Sequence, residues 1–251
     1  MVSIEKYIEF KKGLIPLILS VPHGGSLKCE NIPNRKKGVL GIDKGTIKLA
    51  HEFISYFKKS YENYDPSYII AKVHRSKIDI NRPEYEAFSA NSRLAKQIYH
   101  MYHDKIKELI LYNIESFGVS TLIDIHGFEK HKRPPGYRDV EIILGTNNLA
   151  SFFPNPLPLK ERAKNLRGEI IKSFLKLNIP IAPGHPRRKE YVLKGGYITR
   201  KYGASEIEKS KAMQLEFSDR IRIFDKDLRK KVMNALAEVF LTHISKSMQI
   251  Y

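Results

Sequence analysis

The chain has 251 residues, 42% of them hydrophobic and 10% aromatic, and its 44 Lys and Arg against 27 Asp and Glu leave a formal net charge of +17. That length sustains one large core, and no apolar run approaches the ~20 residues needed to cross a bilayer, so a membrane-spanning protein is excluded. The single cysteine, Cys29, excludes an intramolecular disulfide and any cysteine-only metal cage, leaving His, Asp and Glu as candidate ligands.

Residues 14–21 are mostly apolar and close on Pro22-His23-Gly24-Gly25, which reads as a buried strand breaking into a tight turn with His23 at its end. A polar, basic loop over 26–41 follows, too long for a simple connector. The spacing of Ile47, Ala50, Ile54 and Phe57 predicts a helix over 45–61, with Asp43 in N-cap position. A strand over 68–73 runs into a dense polar loop that contains Asp79-Ile80-Asn81-Arg82 and stops at Pro83. A helix is expected over 92–115, then a β-branched strand, Thr121-Leu122-Ile123-Asp124-Ile125-His126, ending in glycine.

Further strands are expected over 140–144 and, briefly, 179–182, with a helix over 160–177 between them. Residues 183–204, rich in Gly, Pro, Arg and Lys, read as a second long loop at the site. The last strand, 212–217, holds Glu216 between Leu215 and Phe217, and a helix over 228–243 closes the chain. Strands alternating with helices predict a mostly parallel sheet covered on both faces, and no linker or repeat divides residues 1–251 into more than one domain.

His23 and His126 at two strand ends, together with a carboxylate, have the composition of a three-ligand Zn²⁺ site that keeps a fourth position for water. A histidine at a strand end is also commonly a hydrogen-bonded core residue, so neither alone decides the matter. Asp124 shares a face with His126, where it either orients the imidazole or caps the neighbouring turn. Glu216, mid-strand between apolar residues, is ionised at a cost unless it is paired or set in a cleft, and is the candidate general base. Arg82 is suited to bidentate capture of a carboxylate, with Asn81 beside it.

These stretches, in this order, resemble the N-formylglutamate amidohydrolase family: Val21-Pro22-His23-Gly24-Gly25, Asp79-Ile80-Asn81-Arg82, Asp124-Ile125-His126-Gly127, Gly195-Gly196-Tyr197-Ile198-Thr199-Arg200 and Gln214-Leu215-Glu216. The family in turn looks like the zinc carboxypeptidases and the aspartoacylase and succinylglutamate desuccinylase group. The resemblance implies a three-layer α/β/α sandwich with a mixed, mostly parallel sheet, of the phosphorylase/hydrolase-like, zinc-exopeptidase type. It implies one zinc per chain, held by His23, His126 and a carboxylate. The carboxypeptidase pattern places a Glu three residues after the first histidine, where this chain has Ser26; of the acids at hand, Asp43 at a helix start is preferred to Glu30 in the loop.

Glu216 becomes the general base and Arg75 a carbonyl polariser, while Asn81, Arg82, Gly195, Gly196 and Thr199 become substrate binders. The function implied is a zinc-dependent amidohydrolase acting on the acyl-amide bond of a small anionic N-acyl amino acid. With one cysteine and an N-terminus that has no secretory pattern, a cytoplasmic location is expected. The charge supports a rival of another class, a basic nucleic-acid-binding protein that keeps the fold without the activity. Against it, the basic clusters, such as Arg35-Lys36-Lys37 and Arg187-Arg188-Lys189, are spread along the chain as a solvated surface would have them. Were those two loops to flank the cleft, they would favour a substrate with more than one carboxylate.

Overall fold

The computed structural model describes residues 4–60, 64–133 and 135–248. Its strands are β1 (Ile8–Lys11), β2 (Ile15–Val21), β3 (Pro66–Ala71), β4 (Ser120–Phe128), β5 (Ile142–Gly145), β6 (Ile181–Ala182) and β7 (Ser210–Ser218). They form one sheet in the order β1-β3-β2-β4-β7-β5-β6. The four central strands β3, β2, β4 and β7 are parallel, β1 and β5 pair antiparallel with β3 and β7, and β6 is parallel to β5. The sheet is therefore mostly parallel, as the alternation of strands and helices predicts, and mixed, as the family resemblance implies.

Side chains alternate across the central strands and feed two cores. Leu17, Leu19, Ile123, Ile125, Met213 and Leu215 face helices α1 (Thr46–Ser60), α4 (Leu166–Lys176) and α6 (Lys226–Met248). Ile18, Leu122 and Ala212 face the long α3 (Arg93–Phe117), which the Ser92 side chain caps by accepting from Ala95 N–H and which ends on left-handed Gly118. Two short helices, α2 (Glu84–Ala87) and α5 (Tyr197–Lys201), lie in the loops around the site. Helices cover both faces, giving three layers. None of them is long and apolar enough to cross a membrane among the described residues.

The register sets up the site. On the α3 face Ser20 pairs with Asp124, Asp124 with Gln214, and His126 with Glu216. A polar row thus runs across three neighbouring strands near their C-terminal ends, where open α/β sheets place ligands. Two expected elements differ. The helix expected over 160–177 starts only at Leu166, after a 3-10 turn at Glu161–Ala163, because the Asn165 side chain takes the cap by accepting from Gly168 N–H. The loop over 183–204 contains α5.

A candidate metal centre at the strand ends

His23 lies two residues beyond the end of β2, His126 lies near the end of β4, and Asp43 sits in the turn that leads into α1. All three are buried and offer one ligand atom each, within 4.8 Å of one another. The two Nδ1 atoms are 3.1 Å apart, and Asp43 Oδ2 is 3.3 Å from Nδ1 of His126 and 3.7 Å from that of His23. These spacings match the ~3.3 Å edges between ligands of a tetrahedral ion bound at 2.0–2.1 Å. The donor set fits one metal. Asp43 also accepts from Gly127 N–H at 3.2 Å, so its carboxylate is committed to the site and does not cap α1. The alternative acid, Glu30, is solvent-exposed.

The outer face of each ring explains the inner one. His23 Nε2 lies 2.7 Å from Asp79 Oδ1 and His126 Nε2 lies 2.8 Å from Asp124 Oδ2. An Nε2–H donated outward to each carboxylate leaves Nδ1 of each ring facing inward, free to ligate a cation. Two lone pairs at 3.1 Å repel unless a cation lies against them. Burial by itself would raise the carboxyls of Asp43 and Asp79, but hydrogen bonds and charge from His23, together with His126 for Asp43 and Arg75 and Arg35 for Asp79, hold both below the usual range. Burial would likewise lower His126, yet Asp124 and Asp43 hold it well above its ordinary value. In each case local charge outweighs desolvation, and the cluster calls for positive charge at its centre.

Glu216 stands beside His126 in register, partly exposed to the cleft. Burial, with the nearby Asp43 charge adding to it, raises its carboxyl despite His126. Gln214 Nε2–H donates to Glu216 Oε1 at 2.8 Å, and Gln214 Oε1 accepts from Gly196 N–H. The Gly195-Gly196 loop is thereby tied to the carboxylate across the cleft. Asn81 Oδ1 accepts from Ile198 N–H at 2.8 Å, and its Nδ2 lies 3.2 Å from His126 Nε2. A Cβ on Gly196 would come within 2.3 Å of the Asn81 amide, so only glycine permits this approach.

The cleft holds about 270 Å³ and brings together His23, Asp43, His126 and Glu216 with Arg75, Asn81, Arg82, Gly195 and Gly196. Arg75 lies 3.1 Å from Asp79 Oδ2 and 3.6 Å from Asp43 Oδ1, bracing both carboxylates. Arg82 is half exposed and 3.9 Å from Asp79. Thr199 is fully buried behind the Gly195 turn and does not line the cleft.

Two contributors have no role assigned from the sequence. Arg200 lines the cleft, and the buried Arg222 gives its guanidinium to the carbonyls of Phe217, Lys44 and Phe128. One side chain therefore binds the end of β7, the end of β4 and the turn that carries Asp43. A Cβ on Gly127 would fall 2.2 Å from Arg222 Nε, so the glycine after His126 leaves room for this arginine. Nothing local in the sequence marks Arg222, which sits in no motif and works at long range.

No family model matches the chain. It is 24% identical to an N-formylglutamate deformylase of Pseudomonas aeruginosa, over 86% of this chain and 85% of that one. An N-formylglutamate deformylase of Pseudomonas putida is 25% identical, over 86% and 84%. The crystal structure of an N-formylglutamate amidohydrolase from Ralstonia eutropha superposes with a TM-score of 0.68 at 13% identity, covering 98% of this chain and 99% of that one. A protein from Agrobacterium tumefaciens gives 0.64 at 13% identity, covering 99% and 97%. The resemblance to the N-formylglutamate amidohydrolase family carried by the motifs thus extends along most of the chain, in sequence to the deformylases and in fold to the amidohydrolase.

Proposed function

We propose that the chain is a zinc-dependent amidohydrolase that cleaves the acyl-amide bond of an N-acyl amino acid of the N-formylglutamate kind. The observation that carries this reading is the convergence of His23 Nδ1, His126 Nδ1 and Asp43 Oδ2 beside a carboxyl raised by burial. The names of the Pseudomonas relatives support the reaction class and the acylated glutamate.

His23, His126 and Asp43 would hold the zinc. When bound, zinc acidifies a coordinated water and polarises a carbonyl, which is what attack on an amide requires. Asp79 and Asp124 keep the two imidazoles in the tautomer that turns Nδ1 inward. Glu216, held by Gln214, takes the proton of the attacking water and returns it to the departing amine nitrogen, and its raised affinity for a proton suits both transfers.

Arg82 and Arg200 supply the cations for the amino-acid carboxylate from the cleft wall. Arg75, fixed between Asp43 and Asp79, sets positive charge near the developing oxyanion. Asn81, Gly195 and Gly196 shape the pocket, and Thr199 supports the turn from behind. The test is release of formate and glutamate from N-formylglutamate by zinc-loaded protein, with loss on chelation and return on adding zinc. Absence of turnover on N-formyl, N-acetyl and N-succinyl amino acids alike would overturn the reading.

A further inference from the structure

Two larger hollows adjoin the cleft, each sharing a wall with it. One, of about 840 Å³, shares Arg82 and is bounded by Arg35, Lys36 and Lys37. The other, of about 610 Å³, shares Leu193 and is bounded by Arg133, Arg138, Arg187, Arg188 and Lys189. The Arg35-Lys36-Lys37 and Arg187-Arg188-Lys189 clusters, far apart in sequence, therefore border hollows that each share a wall residue with the cleft.

Their charge is available. Among the described residues, Lys36, Lys37, Arg187, Arg188 and Lys189 form no ion pair, as is common for the surface cations of this basic chain, although Lys48, Lys105 and Lys164 sit against glutamates. The acid in the Leu193-side hollow, Glu190, is buried and spent on Arg167 and the Thr146 and Asn148 amides. In the Arg82-side hollow the single acid is Glu86, while Arg35 is already committed to Asp79 and the Val39 carbonyl. A small N-acyl amino acid bound in the central cleft would leave both hollows without a role.

We propose that the preferred substrate is an oligomeric polycarboxylate, a chain of amide-linked acidic residues that lies across the cleft with carboxylates in both hollows. This rests on the amidohydrolase reading and extends it from a terminal acyl group to an internal amide between acidic units. Water adds to the carbonyl carbon, the C–N bond breaks, and the proton passes to the departing nitrogen, leaving a carboxylate on one fragment and an amine on the other. Duplex or single-stranded nucleic acid is the other polyanion that suits such a surface, but an amide-cleaving centre between the hollows has no use for one.

The test compares N-formylglutamate with oligoglutamates of two to eight residues, both α- and γ-linked, on zinc-loaded protein. Two charge-reversed variants, Lys36→Glu with Lys37→Glu and Arg187→Glu with Arg188→Glu, are measured alongside. The expected result is a kcat/KM that rises with length in one linkage series, by about tenfold or more from several screened contacts acting together. Each variant should lose most of that rise, and so should high salt, while turnover of N-formylglutamate stays unchanged.

A kcat/KM independent of length, or variants that depress short and long substrates equally, would overturn the proposal. Anisotropy of a labelled octaglutamate and of a labelled octanucleotide separates the remaining cases. Octaglutamate that binds through the same lysines and arginines without any substrate being cleaved would sink the amidohydrolase reading and keep the anionic track. Tighter binding of the oligonucleotide at equal salt would overturn the polycarboxylate assignment.

Discussion

The Nδ1 atoms of His23 and His126 face each other at 3.1 Å while a buried carboxylate holds the far nitrogen of each ring. Neutral imidazoles so arranged present two lone pairs to one point, and Asp43 adds an anionic oxygen to it. A cation at that point turns three mutually repelling donors into a coordination set. In its absence a proton on His126 is the available substitute, in keeping with the raised proton affinity of that ring.

Removing the charge behind either ring should weaken the metal without removing a ligand. Asp79→Asn and Asp124→Asn are each expected to lower zinc affinity about 10- to 100-fold, the usual effect of losing a partner of a ligating histidine. Competition with a chromophoric chelator measures this, and an affinity unchanged in both variants would show that the carboxylates do not orient the rings.

Glu216→Gln keeps the shape of the side chain and the packing on β7 but cannot take a proton. Zinc content should be unchanged while kcat falls by about 10²- to 10⁴-fold, the range for a lost general acid–base. A variant with near-normal kcat would move the proton transfer to another group.

Stability should fall on mild acidification for a reason outside the site. His103 on α3 is buried, facing the Ile80 carbonyl through Nε2 and the Tyr202 hydroxyl through Nδ1, and burial with nearby Lys201 lowers its pKa from 6.5 to about 3. Above pH 6.5 both folded and unfolded chains hold this ring neutral, so its contribution is fully present. Below that value the unfolded chain binds a proton that the folded chain refuses, and stability drops until the folded pKa is reached. Urea midpoints at pH 7.5 and 5.0 should show a loss smaller by about 2 kcal/mol in His103→Gln than in the wild type. Equal losses would refute the assignment.

Arg222→Met should unfold the site's foundation. Three carbonyls on three segments lose their donor, at a cost on the order of 3 kcal/mol or more, and zinc affinity should fall with it because Lys44 adjoins Asp43. Denaturation together with a zinc titration checks both effects.

The parts of this molecule visible in its sequence are those with local causes. β2 is a mostly apolar run, β4 and β7 are apolar apart from the polar residues they carry to the site, and α1, α3 and α6 have apolar faces at helical spacing, so the sequence places each within a few residues. β1 was not foreseen, because Glu9 and Lys11 alternate with apolar residues on a short, exposed edge strand that resembles a charged terminus. The reversed direction of β5 and β6 was equally hidden, since pairing with β7 depends on distant residues. In the site, His23, His126 and Glu216 announce themselves as polar groups at the ends of apolar strands. Asp79 and Gln214 stand inside the motifs, but their roles behind His23 and Glu216 are set by the fold, and Arg222 beneath Gly127 acts through the fold with no sign in its sequence neighbours.

Metal content of the purified protein, measured by elemental analysis on the wild type, His23→Ala and His126→Ala, tests the central claim most directly. About one zinc per chain in the wild type, lost in both variants while circular dichroism shows them folded, is the predicted result. A wild type that takes up no zinc when it is offered, or variants that keep their full complement, would contradict it.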